Sequence, residues 1–275
     1  MNKYFFNHDL SPLFDLADSQ IITFIGGGGK TSLMNTLGKE FASHGYPTLL
    51  TTTTHIMKPD FLSDESYIEN EDLGQLANIF TNLKKNTLPL AALGIPEKMV
   101  NSNVKWRSPS SDFCEKTAEF SKKFSTKNPY KSLKILCEGD GSKRLPIKLP
   151  KDGEPVFFPQ TDTVIGVVGL SCIGKPIKET LFRCELLQNF TSLDNHFIKS
   201  LQPADIVTTD FLYRLCLSEK GLRKNITSQK FCIIFNQADI LDEKALAEVI
   251  TLRNQLQTKG ICSHIISVKN NYIIN

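Results

Sequence analysis

The chain has 275 residues, enough for one large or two modest domains, and its 40% hydrophobic content can furnish a sizeable core. A net charge of +3, with no basic run beyond short lysine pairs, argues against nucleic acid, and no apolar stretch is long enough to span a membrane. Seven cysteines, an odd number without a C-x-x-C, fit reduced thiols, and the amino terminus lacks the apolar core of a signal peptide, so a cytoplasmic location is expected.

Residues 7–17 read as a short amphipathic lead-in helix. The β-branched and aromatic run Ile21–Ile25 is a strand. It meets four glycines (Gly26, Gly27, Gly28, Gly29), then Lys30, Thr31 and Ser32, and a helical pattern through Leu33, Met34, Leu37 and Phe41. Gly45 and Pro47 punctuate before a second strand, T-L-L-T-T-T-T. Residues 58–86 suggest a short strand and a helix around Asp72–Lys84, and 88–95 a third strand. Residues 101–111 read as a loop, with Ser111 or Asp112 capping a helix through Phe124. K-I-L-C-E-G-D-G (134–141) is a strand closing on acidic residues, and proline-rich connections lead to the strand T-V-I-G-V-V-G-L (163–170). Helices are expected over 178–200, 208–219 and 243–257, with strands at 230–236 and, last, 262–268. Strands alternating with helices predict an α/β chain, P-loop NTPase-like, with a mostly parallel sheet covered on both faces in three layers. A single domain, 1–275, is expected, with 140–200 as a candidate insertion or subdomain. Cys137, Cys232 and Cys262 fall in strands, where a thiol usually serves as a small core hydrophobe and a metal or redox role is the lesser reading.

A strand feeding a glycine turn that opens a helix is a phosphate seat. Backbone N–H groups wrap the anion, the helix terminus adds positive potential, and a lysine reaches the outer phosphates. The standard pattern would place its first glycine at Phe24. The form present, G-G-x-G-K-T over Gly26–Thr31, is nearer to the variant P-loop of nucleotide-dependent switch proteins, although their signature lysine would fall on Ile25. A glycine turn that binds nothing is the bland alternative.

In such a sheet ligands lie beyond the carboxyl ends of the strands, so strand ends identify candidates. Thr51–Thr54 and His55 end the second strand. The threonine hydroxyls could hold a metal-bound water or a phosphate oxygen, with Thr53 and Thr54 the best placed, or could reflect threonine's strand preference alone. Glu138 and Asp140 end the fourth. A P-loop enzyme needs a carboxylate there for Mg²⁺, with Thr31 on the ion directly; Asp140 is the first choice, while Glu138 could polarise a water or hold the metal's second shell, and solvated strand-end carboxylates are the bland alternative. F-N-Q-A-D (235–239) resembles the N-K-x-D element that reads guanine, with Asn236 and Asp239 in place and Gln237 for the lysine. GTP is therefore favoured over ATP, an Asn/Asp turn being the alternative. Lys143, Arg144 and the G-L-S-C-I-G-K-P loop (169–176) could border the site. Trp106 could cover a ligand or a hydrophobic patch.

Several stretches together resemble one family, the YqeC-type selenium cofactor biosynthesis proteins. These are F-I-G-G-G-G-K-T-S-L-M, L-L-T-T-T-T-H-I, L-C-E-G-D-G-S-K-R-L-P-I-K-L-P, E-P-V-F-F-P-Q-T-D-T-V-I-G-V-V-G-L-S-C-I-G-K-P and F-N-Q-A-D, in order over residues 20–240. The resemblance implies a role in maturing selenium-dependent molybdenum hydroxylases, with such an enzyme or its cofactor as partner. Matching positions are Gly26, Gly28, Gly29, Lys30, Thr31, Thr51–Thr54, Glu138, Asp140, Gly141, Ser142, Gly174, Lys175, Asn236 and Asp239. His55 and Gln237 stand where lysines are expected, and Phe182 precedes Arg183 where histidine is usual. The combined expectation is a Mg²⁺-dependent nucleoside triphosphatase using Lys30, Thr31, Glu138, Asp140 and Thr54. A nucleotide-gated carrier and a kinase-like phosphoryl transferase are the rivals.

Overall fold

Alternation along the first long strand sets up the layers. Ile22 and Phe24 face one cluster of buried side chains, while Ile21 and Ile25 face two others on the opposite side. The computed structural model describes residues 3–5, 9–81, 87–124, 131–192 and 201–274. In chain order the strands are β1 Lys3–Phe5, β2 Ile21–Gly26, β3 Thr48–Thr52, β4 His55–Met57, β5 Tyr67–Ile68, β6 Leu90–Leu93, β7 Ile95–Val100, β8 Asn103–Arg107, β9 Lys134–Glu138, β10 Ile147–Lys148, β11 Thr163–Gly169, β12 Leu181–Phe182, β13 Lys230–Asn236, β14 Cys262–Ser267 and β15 Tyr272–Ile274. The helices are α1 Leu10–Leu13, α2 Lys30–Ser43, α3 Leu73–Thr81, α4 Ser111–Phe124, α5 Ile177–Thr180, α6 Leu187–Ser192, α7 Thr209–Leu217 and α8 Glu243–Thr258.

Ten strands form the main sheet in the order β1-β15-β14-β13-β11-β2-β9-β3-β6-β5. Every pairing from β14 across to β5 is parallel, and only β15 and β1 run against their neighbours. On one face α2 lays Leu33, Met34, Leu37 and Phe41 on β2, β3, β9 and β11. Each such side chain contributes about 1.5–3 kcal/mol when fully buried. On the other face α7 and α8 cover β11, β13 and β14, while α3 and α4 cover β3, β6 and β9. The fold is therefore α/β in three layers, as the alternation predicts.

The helices start where side chains can cap them. Thr208 Oγ1 accepts from Phe211 N–H (3.2 Å), and Asp242 Oδ1 accepts from Ala245 N–H (2.8 Å). For α4 the cap is Ser110, whose Oγ accepts from Phe113 N–H (3.3 Å), one residue ahead of the expected Ser111 or Asp112.

Five expectations need correction. The lead-in helix shrinks to Leu10–Leu13, and residues 7 and 8 of that expectation lie outside the described residues. The helix expected over 178–200 breaks into α5, the two-residue β12 and α6, with 193–200 outside the described residues. Arg183 there adopts φ 68°, which no helix continues through. The strand at 262–267 is not the last, because β15 folds back antiparallel on it. The third strand, expected over 88–95, shortens to 90–93, and Ile95 instead opens a separate strand, β7. Most visibly, 101–111 is not a loop. Asn101 and Ser102, both at positive φ, turn β7 into β8, and β4 adds a third strand to this small antiparallel sheet.

Trp106 anchors that sheet and covers a hydrophobic patch. It is 1% exposed, packs edge-on against Tyr67 (centroids 5.8 Å apart), and its Nε1–H donates to Glu69 (3.0 Å). A Cβ on Gly94 would lie 2.3 Å from the indole. Gly94→Ala is therefore expected to displace Trp106 and to destabilise the chain by about 1–3 kcal/mol, read as a lowered denaturant midpoint with a Trp106 fluorescence shift.

Candidate functional site

The glycine turn sits at the carboxyl end of β2, between β9 and β11. Gly28 and Gly29 adopt φ of 76° and 112°, the left-handed region that a side chain resists. Their neighbours also leave no room. A Cβ on Gly28 would come within 2.2 Å of Gly169 Cα, and one on Gly29 within 2.4 Å of Asn236 Nδ2.

The first half of the turn is bonded into the protein. Gly26 N–H donates to both carboxylate oxygens of Asp140 (3.1 Å each), Gly27 N–H to Val167 O (2.9 Å), and Gly28 N–H to Leu145 O (3.2 Å). The second half opens outward. Gly29 and Thr31 are half-buried and Ser32 is exposed, and the first-turn N–H groups of α2 have no intrahelical acceptor. An anion seat, if used, is therefore the stretch Gly29–Ser32 rather than the whole loop.

Lys30 is 3% exposed. Its ammonium donates to Gly26 O (2.6 Å) and lies 3.2 Å from Asp140 Oδ1 and 3.7 Å from Glu138 Oε1. Burial works against this charge, but Asp140 and then Glu138 more than offset it, so the pKa is raised and Lys30 is a firm cation. Glu138 moves upward as well, because burial outweighs the attraction of Lys30 and the hydroxyl of Thr31. That hydroxyl donates to Glu138 Oε2 at 2.5 Å.

The structure thus joins Thr31 to Glu138. Asp140 faces elsewhere, toward Gly26 N–H, Lys30, and Lys148 Nζ at 3.3 Å. Among the threonines, Thr52 Oγ1 donates to Glu138 O (3.0 Å) and Thr53 Oγ1 to Val156 O (2.6 Å). Thr54 is held by its N–H on Thr52 Oγ1 (3.0 Å) and by its carbonyl on Ser108 N–H (2.8 Å), one step out from Glu138. His55 pairs with Glu97 (3.2 Å) on the exposed small sheet.

At the ends of β13 and β14 lies a cleft of about 500 Å³, bounded by Gly29, Ser32, Ser171, Asn236, Asp239 and Lys269. Asn236 is a stitch in its wall, since Nδ2 donates to Gly28 O (2.9 Å) and Oδ1 accepts from Val268 N–H (3.1 Å). Asp239 Oδ1 accepts from Ser267 Oγ (2.7 Å). Gln237 takes φ 71° and turns its Oε1 toward Ser171 N–H (3.4 Å). Both expected base-reading residues and the glycine turn therefore share one cleft. A larger cleft, about 800 Å³, lies at the far end of α2 beside Leu10, Glu40, Phe61 and Leu88, away from these groups.

Sequence reasoning missed the groups behind Asp140. Lys148, 2% exposed, lies 2.6 Å from Glu154 Oε2, and its Nζ donates to Gly141 O (2.9 Å); Glu154 in turn holds Arg183 at 2.7 Å. The signal was a lysine set between Ile147 and Leu149, where a surface charge has no reason to sit. Ser267 and Val268 were also missed, because a serine and a backbone amide after a strand carry no signature. Lys143 and Arg183 lie over the ring of Phe182 (5.4 and 4.9 Å). Of the 169–176 loop, Gly169 and Ser171 touch the site, whereas Gly174 and Lys175 pair with the 205–207 segment through backbone bonds.

No helix among the described residues is long and apolar enough to cross a membrane. The family profile described as YqeC protein matches residues 22–185. A relative from Escherichia coli (strain K12), named Uncharacterized protein YqeC, is 26% identical over 195 residues, covering 68% of this chain and 66% of that protein. The match thus spans just under two thirds of the relative's length. The profile takes in the glycine turn, Glu138, Asp140, Lys148, Glu154 and Arg183, and ends before Asn236. Since it covers more than half of the sequence, the chain belongs to the YqeC family.

Proposed function

We propose that this protein is a Mg²⁺-dependent nucleoside triphosphatase, favouring GTP over ATP, that assists maturation of selenium-dependent molybdenum hydroxylases in the cytosol. One observation carries the reading. A buried lysine paired with two carboxylates and the open N–H groups of α2 stand at the carboxyl end of the central strand, with the Thr31 hydroxyl of α2 already in contact with the Glu138 carboxylate of the neighbouring β9. The hydroxylase role rests on family resemblance alone.

The donor set suits both groups. Thr31 and Glu138 offer hard oxygens side by side, as Mg²⁺ requires, whereas Asp140 is bonded to a backbone N–H and faces two ammonium groups that would repel a cation. The metal role proposed for Asp140 on sequence grounds accordingly passes to Glu138, and Asp140 becomes the group that places Lys30. Bound there, Mg²⁺ would neutralise charge on the outer phosphate oxygens. Lys30 would swing from Gly26 O to the γ-phosphate, Gly29–Ser32 would donate N–H groups, and the Thr54 hydroxyl, placed by the buried Thr52, would orient water. Asp239, one oxygen held by Ser267, keeps its other oxygen for the N–H edge of guanine.

Titration of the purified chain with ATP, GTP and CTP, with and without Mg²⁺, tests the assignment. GTP is expected to bind tightest, with Mg²⁺ strengthening it and phosphate released. Asp239→Ala should weaken GTP by about tenfold to a hundredfold, the worth of a charge-assisted hydrogen bond, and leave ATP unchanged. Equal affinity for all three in the wild type would remove the base-reading role.

A nucleotide-gated carrier with negligible turnover is the second reading, favoured by the way the turn holds Lys30 and the Gly26–Gly28 N–H groups in internal bonds. Tight binding without phosphate release would select it.

A further inference from the structure

At the opposite end of the sheet from the glycine turn, three metal-ligating side chains converge. β13 and β14 pair in register with Cys232 beside Cys262. His264, two residues along β14, returns to the same face as Cys262. The sulfurs are 2.8 Å apart, His264 Nε2 is 3.5 Å from Cys262 Sγ, and the three donor atoms all lie within 4.8 Å of one another. Cys232 is buried, while Cys262 and His264 are half-buried, so the cluster has a solid floor and a solvent-facing mouth. The ring of Phe14 leans on His264 (centroids 5.2 Å apart) and limits its rotation.

We propose that Cys232, Cys262 and His264 form a binding site for a thiophilic divalent cation of the Zn²⁺ class, with the fourth coordination position open to solvent. Two thiolates and an imidazole are the donors that select such ions over Mg²⁺ or Ca²⁺. Ordinary zinc bond lengths at a tetrahedral centre separate sulfur from nitrogen by about 3.6 Å and sulfur from sulfur by about 3.8 Å. The first spacing is already present between Cys262 and His264, and the second needs the thiols to part by about an ångström, within the reach of a side-chain rotation. Three protein ligands with one position open to water is an arrangement that can take an exogenous ligand, not only brace the fold.

Co²⁺ titration of the full-length, chelator-stripped, thiol-reduced chain tests this. One equivalent per chain should produce the thiolate charge-transfer band and the strong visible bands of tetrahedral cobalt, both erased by Zn²⁺. Cys262→Ala and His264→Ala should each weaken binding by on the order of a hundredfold, since loss of a direct ligand costs at least as much as loss of an outer-shell partner. Cys184→Ser, outside the cluster, should titrate as the wild type does. Because both ligand variants alter half-buried positions, unchanged far-ultraviolet circular dichroism separates ligand loss from unfolding. Absence of a stoichiometric band in the wild type would overturn the proposal, as would full affinity in the His264 variant. A Cys232–Cys262 disulfide that persists under reductant and blocks cobalt would overturn it too, in favour of a redox pair.

Discussion

Lys30→Met is expected to weaken triphosphate binding and turnover by on the order of a hundredfold or more, the usual cost of removing one preorganised donor from developing phosphate charge. Its effect on the unliganded protein should be as diagnostic. Lys30 is the ammonium beside Glu138 and one of two beside Asp140, all three side chains being buried. Removing it leaves Glu138 with only the Thr31 hydroxyl, and breaking a buried pair from one side costs about 3–5 kcal/mol.

The sign of the pH dependence follows. Glu138 is already raised above the ordinary carboxylate range by burial, and losing Lys30 raises it further. While both folded and unfolded chains hold the proton there is no penalty. The penalty sets in as pH climbs past the unfolded value and is complete above the folded one. The stability deficit of Lys30→Met relative to wild type should therefore be largest at neutral pH and shrink toward pH 4.5. Chemical melts across that range, in chelator, measure it. A deficit that does not change with pH would mean that Glu138 is not the group left unpaired.

Much of this arrangement was legible in the sequence because two periodicities spoke at once. Ile21–Ile25 had to be a strand, Leu33, Met34, Leu37 and Phe41 had to be a helix face, and four glycines between them had to be a tight turn. The acidic ends of β9 and β13 followed from a parallel sheet's habit of placing ligands beyond its carboxyl edge. What escaped was whatever lacked a period. β7 and β8 carry Glu97, Lys98, Lys105 and Arg107 on an exposed hairpin held by one tryptophan, so no alternating apolar face marks them. α5, β12 and α6 sit on a stretch that local propensity favours as one helix, and the break at Arg183 serves its bond to Glu154. Spacing alone could not divide labour between Glu138 and Asp140, two residues apart. Their partners on other elements tell the two apart, Thr31 for one and Lys148 for the other, and the proposed roles rest on that difference.

Lys148→Met should destabilise the chain by about 3–5 kcal/mol, lowering the melting temperature by roughly 10 °C, and should also impair the proposed nucleotide site, which it does not touch. Lys148 Nζ has oxygens of Glu154 (2.6 Å), Gly141 (2.9 Å) and Asp140 (3.3 Å) around it at 1% side-chain exposure, so removing the ammonium leaves two carboxylates in the interior short of a cation. Glu154 retains Arg183, which is partly exposed and can follow it. Asp140 retains only Lys30 and Gly26 N–H, and would draw Lys30 inward, away from any phosphate. The wild-type network divides Asp140 between two cations, and under the proposed function that division is what would leave Lys30 able to exchange partners when an anion arrives. Lys148→Met/Glu154→Gln should recover part of the stability by removing the carboxylate that has lost its nearer cation, Arg183 being exposed enough to turn to water, with a coupling above about 0.5 kcal/mol between the two changes. It should not recover nucleotide binding, because Asp140 is still unbalanced. If binding returned along with stability, Lys148 would be a brace for the β10–β12 corner and nothing more.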